Sequence, residues 1–140
     1  MTTTWIEPAA VLSAEASGWE GVWTLVFAAG HAAVNLASVP GADDDLGLTY
    51  AALDTSYALT ELEQRLVDFT APGVAVDVGP VSLADRDAAV DVIDELLAAA
   101  QALTNELAGR PGAGVLVVLC STRVSTLLES ARAKATGGAW

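Results

Sequence analysis

The stretch SLADRDAAVDVIDELLAAAQALTNELAG, residues 82–109, decides the fold class of this chain. Its apolar residues recur at intervals of three and four, which is the spacing of one face of an α-helix. Ser82 and Asp85 stand at the spacing of an N-terminal capping box, in which the hydroxyl accepts a backbone N–H three residues on. Gly109 is a typical residue just beyond a helix end. The stretch therefore predicts a helix over 83–108.

Three further segments, 20–38, 46–69 and 114–135, show the same period and are separated by Gly and Pro. Residues 115–119 are β-branched enough for a strand, but their pattern continues at helical spacing, which favours a helix. Four such segments with short connections predict an all-α fold, an antiparallel four-helix bundle. A short extra N-terminal helix over 9–17, or an extended arm, precedes the bundle.

The second of these segments carries two neighbouring apolar lines. Both have helical spacing, and the polar face of the same helix is expected at Asp54, Glu61, Arg65 and Asp68. One line consists of Leu48, Leu59, Leu62, Leu66 and Phe69, and the other of Leu46, Tyr50, Leu53 and Tyr57. Residues 74–81, where valines alternate with smaller residues, are interpreted as an extended connection between helices.

Composition narrows the class of protein. The chain has 140 residues, of which 18 are acidic and 6 basic, for a net charge of −12, and 53% are hydrophobic. These values predict one domain, residues 1–140, and exclude disorder of the whole chain. The charge argues against nucleic acid and against an anionic membrane surface as partners.

Residues 21–42 carry no formal charge and are long enough to span a bilayer. Their polar residues and acidic flanks favour a buried helix instead. No basic leader precedes an apolar stretch, since the first basic residue is Arg65, and we therefore expect a cytoplasmic protein. Cys120 is the single cysteine, which excludes an intrachain disulfide.

Residue types that carry catalysis or bind metals are scarce. His31 and Cys120 are each the only residue of their kind, so a Cys/His zinc site within one chain is excluded. Asp43–Asp45 lack the glycine position of a calcium loop, and the acids of the 83–108 helix lack the Glu-x-x-His pairs of di-iron bundles. We therefore expect no metal, no cofactor and no enzymatic activity.

The length, acidity and single histidine of the chain resemble those of histidine-phosphotransfer domains, which are small acidic four-helix bundles. The resemblance implies that His31 accepts a phosphoryl group. In that family a Lys or Arg follows three residues after the histidine, where this chain has Val34. A phosphotransfer-like signalling protein is one alternative function.

Two short motifs are similar to signatures of small helical proteins exported by actinobacterial type VII secretion. Trp19-Glu20-Gly21 resembles their W-x-G turn, and Tyr50-x-x-x-Asp54 resembles their Y-x-x-x-D/E signal. The resemblance implies an exported helical protein, which is a second alternative. A third is a binder of small apolar ligands, with Trp19 and Trp23 lining the pocket.

The remaining signal lies on the first long helix, over 20–38. Its polar side is nearly uncharged, although the outward face of a bundle helix normally carries charges. Small uncharged side chains permit close approach of a second helix. The sequence thus predicts a non-enzymatic protein that acts by self-association, most simply as a homodimer, or by binding a protein partner, through Thr24, Ala28, His31, Asn35 and Ser38.

Overall fold

The computed structural model describes residues 5–39, 46–65 and 81–137, and these residues form five α-helices and one 3-10 turn. The all-α prediction is confirmed. The helices are α1 (Ile6–Glu15), α2 (Gly18–Ala37), α3 (Leu46–Arg65), α4 (Arg86–Ala108) and α5 (Val115–Ala135), with the 3-10 turn over Leu83–Asp85 before α4. The predicted connection over 74–81 lies outside the described residues except for Val81.

The four long helices form a ring in which α2 packs on α3, α3 on α5, α5 on α4, and α4 on α2. Contacts between Asp94 and Arg132 and between Gln101 and Ser125 show that α4 and α5 are antiparallel. Lys134 contacts Asp54 and Cys120 contacts Glu61, so α5 and α3 are antiparallel as well. Hence α3 and α4 point in the same direction and occupy opposite corners of the bundle.

The short helix α1 packs against α2 and α4 beside the ring. Trp5, immediately before it, and Ala9 within it are both buried in the common core. The positive φ of Gly18, +66°, allows the chain to turn from α1 into α2, because side chains other than glycine rarely adopt that conformation. The alternative of an extended N-terminal arm is wrong for residues 6–15.

The predicted capping box at Ser82 is wrong. The Ser82 hydroxyl accepts no backbone N–H and instead donates to Oδ2 of Asp85 at 3.2 Å. One 3-10 turn follows, and the α-helix begins only at Arg86. The strand alternative for 115–119 is also wrong, since α5 begins at Val115 and has no break in that stretch.

The core is built from the small and branched residues of the four long helices. Of the two apolar lines on α3, the one with Leu48 and Leu62 faces inward, and both side chains are fully buried. At Gly30 the backbones of α2 and α3 approach so closely that a Cβ would overlap Oγ1 of Thr55. This close contact fixes α3 against α2, and it leaves the second apolar line of α3 on the outside.

Candidate functional site

The outward side of α3 is an apolar surface. We define the α3 outer face by its exposed residues Leu46, Thr49, Tyr50, Leu53, Ser56, Tyr57 and Thr60. The large members are 56% (Leu46), 40% (Tyr50), 47% (Leu53) and 54% (Tyr57) exposed. They follow one another at spacings of four, three and four, which is the a/d pattern of a helix that packs along another helix.

The α3 outer face carries no charge. Asp54 is the one charged residue between positions 46 and 60, and it is buried and bonded to Nζ of Lys134 at 3.0 Å. Further along α3, Oε2 of Glu61 lies 3.6 Å from the Arg123 guanidinium. Both pairs join α3 to α5, so the acids on this side of α3 stand beside cations. The border between the α3 outer face and α5 is thereby electrically neutral.

The third cross-helix ion pair joins α4 to α5. Arg132 donates from Nε and Nη2 to the two carboxylate oxygens of Asp94, at 2.8 and 3.3 Å, and from Nη1 to Oε1 of Gln101. The hydrogen bond to Asp94 raises the pKa of Arg132 above its ordinary value, so the guanidinium stays charged at any working pH. Two hydrogen bonds from one guanidinium to one carboxylate fix the relative orientation of the two side chains better than a single hydrogen bond does.

Exposed acids are concentrated on α4 instead. Asp87, Asp91, Glu95 and Glu106 all lie on its outward side. Because α3 and α4 occupy opposite corners, the bundle presents the apolar α3 outer face on one side and these four acids on the other. On α3 itself the exposed acid is Glu63, three residues beyond Thr60.

The five residues predicted to bind a partner do not form one surface. His31 and Ser38 are exposed and Thr24 and Asn35 half-buried, but Ala28 is fully buried inside the bundle. The expectation that Ala28 faces outward is wrong, because α2 is packed by α1, α3 and α4 and leaves only a narrow strip to solvent. The hydroxyls of Thr24 and Ser38 donate hydrogen bonds to backbone carbonyls of α2 itself. Partner binding by the remaining four stays a prediction.

His31 ends an aromatic stack on α2. The rings of Trp23 and Phe27 are 5.1 Å apart, and those of Phe27 and His31 are 5.6 Å apart. Beside His31 lies a shallow groove of about 180 Å³ between α2 and α3, and its lining contains no Lys or Arg. A phosphoryl group on His31 would find no cation in this groove, and the groove is smaller than the roughly 300–1,000 Å³ usual for ligand pockets.

The other residues that the sequence offers as candidates do not form a functional site. Trp19-Glu20-Gly21 lies in the first turn of α2 after a helix of only ten residues, so it does not join two long helices. Trp23 is buried, and its Nε1 has no hydrogen-bond partner in the described structure. Among the described residues no group of three or more His, Cys, Asp or Glu side chains is placed to hold a metal ion.

The bundle has two other surface features. An open cleft of about 660 Å³ at one end of the bundle mixes Arg86 and Lys134 with Asp87 and Asp91. At the opposite end, the first turns of α5 expose a second apolar cluster, which consists of Val115, Leu116, Val118 and Leu119. Cys120 follows it but is buried, with Sγ 3.8 Å from the carbonyl oxygen of Glu61.

Sequence reasoning did not select the α3 outer face. The sequence does show Leu46, Tyr50, Leu53 and Tyr57 as an apolar line, but an apolar line normally predicts a side that faces the core.

None of the described helices is long and apolar enough to cross a membrane. Comparison of the chain with protein-family models, with curated proteins and with solved structures found no match.

Proposed function

We propose that this chain is a non-enzymatic cytoplasmic protein that acts by binding a protein partner through the α3 outer face. The supporting observation is the exposure of four large apolar side chains at a/d spacing on a helix surface without charge. The largest contiguous apolar patch on the surface of a monomeric protein is often an interaction site. Self-association is included in this proposal, since a second copy is also a protein partner.

Covering this face with a partner would contribute favourable free energy to the association. Full burial of a side chain of this size contributes roughly 1.5–3 kcal/mol. The side chains of Leu46, Tyr50, Leu53 and Tyr57 are about half exposed, so covering them contributes about 1 kcal/mol each. The face can therefore add on the order of 4 kcal/mol to an association.

A single charge in the middle of the face tests this role. Leu53→Asp replaces a side chain that is 47% exposed, and Val11→Asp on α1 is a matched control at 48%. Tagged wild type and both variants are expressed in the native cells, and the polypeptides that co-purify in stoichiometric amount are identified. We expect Leu53→Asp to lose its partner and Val11→Asp to keep it. Retention of every partner by a folded Leu53→Asp protein would refute the proposal.

A further inference from the structure

The large side chains of the α3 outer face alternate in such a way that two copies of the face, laid antiparallel, place each leucine opposite a tyrosine. Along the helix the large residues read Leu46, Tyr50, Leu53, Tyr57. A second α3 laid antiparallel on the first, with the two-fold axis midway along this run, places Leu46 opposite Tyr57 and Tyr50 opposite Leu53. Every leucine then meets a tyrosine, and a large ring alternates with a smaller side chain on both sides.

We propose that the partner of the α3 outer face is a second copy of this chain, paired through antiparallel α3 helices about a two-fold axis. This inference rests on the proposed function and names the partner of the same face. Such pairing gives an isologous contact, in which residue i touches residue j of the other copy and j also touches i. Parallel pairing would instead oppose tyrosine to tyrosine and align the two helix dipoles unfavourably.

The charge distribution also favours a second copy over a foreign partner. A partner selected by an acidic protein would carry cations, and the matching acids would be arranged around the docking face. Here the exposed acids Asp87, Asp91 and Glu95 lie on α4, at the corner across the bundle from α3. In the proposed dimer both acidic corners point away from the contact. The acids of α4 therefore add little repulsion at the contact, although each chain has a net charge of −12 and Glu63 of α3 lies near the end of the paired helices.

The area of the α3 outer face gives the order of magnitude of the expected affinity between two copies. Each tyrosine ring offers about 100 Å² of exposed surface, given that aromatic side chains bury roughly 150–250 Å² in full. With the leucines and the small residues between them, the face contributes on the order of 500 Å² per copy, or about 1,000 Å² in total, which is the size of weak, transient interfaces. We therefore expect a dimer with a dissociation constant in the range of about 1–100 µM.

Cysteine cross-linking tests the register directly. Leu46→Cys and Tyr57→Cys are made as separate proteins, both at exposed positions. In the antiparallel pair each new thiol lies opposite the other type, whereas like positions are 11 residues, or about 16 Å, apart along the axis. A disulfide needs Cβ atoms within about 4.5 Å. Only the mixture of the two proteins should therefore form cross-linked dimers on mild oxidation. Wild type, whose single Cys120 is buried, is the control.

Sedimentation velocity of the purified wild type completes the test. We expect reversible dimers at about 100 µM and at least a ten-fold weaker association for Leu53→Asp, with Val11→Asp unchanged. Cross-linking in either single variant alone would refute antiparallel pairing, and a dimer whose mixture does not cross-link would refute the α3 contact. A strictly monomeric wild type would also refute self-pairing. If Leu53→Asp nevertheless loses a co-purifying polypeptide, the proposed function stands with a foreign partner.

Discussion

The close contact between α2 and α3 makes a sharp prediction for Gly30→Ala. On an isolated helix this change stabilises by about 1 kcal/mol, because alanine is the better helix former. Here the new methyl group would overlap Oγ1 of Thr55 and lie 3.1 Å from its Cβ. Thr55 is buried, and its hydroxyl donates to the Ala52 carbonyl at 2.6 Å, so it has little freedom to move. Overpacking of this kind costs about 1–3 kcal/mol.

We expect Gly30→Ala to lower the free energy of unfolding by about 1 kcal/mol after the helix propensity is offset. Urea denaturation followed by circular dichroism at constant m-value measures it. The matched control is the same change in a Thr55→Ala background, where Oγ1 is absent and Gly30→Ala should become neutral or stabilising. A gain of about 1 kcal/mol in the wild-type background would refute the contact, because it is the value for an uncrowded site.

Four other predictions follow from the geometry. A double-mutant cycle of Asp94→Ala and Arg132→Ala should give a coupling of about 1 kcal/mol in urea titrations, at the top of the range for partly exposed pairs because the fork is bidentate. Ser82→Ala should lower stability by about 1–2 kcal/mol in the same assay, since it removes a hydrogen bond to the buried Asp85 carboxylate, and an unchanged midpoint would refute this. His31 should gain no acid-labile phosphate from acetyl phosphate, and labelling that disappears in His31→Gln would contradict this expectation. Added salt should lower the dissociation constant of the proposed dimer in sedimentation, because it screens repulsion between two acidic chains.

The hydrophobic period predicted the helices of the bundle within a few residues wherever their ends are described, including the Val-rich start of α5; the predicted end at residue 69 lies outside the described residues. It could not predict which way a helix is turned when two of its faces are similar. On α3 both the line with Leu48 and the line with Tyr50 are apolar, and only the close approach at Gly30 orients the helix. On α2 the sequence pattern places the small Ala28 on the outer side, but α2 packs against three other helices and Ala28 is fully buried.

Fold stability and the proposed partner binding depend on different sides of α3. The side toward α2 is held by the Gly30 contact, and the side toward α5 by the pairs of Asp54 with Lys134 and Glu61 with Arg123. None of these side chains belongs to the α3 outer face. Replacing Leu53 or Tyr57 should therefore change association without changing the unfolding midpoint of the monomer, whereas Lys134→Met should lower that midpoint and leave the face intact. This separation of effects would be lost if the outer apolar line were part of the core.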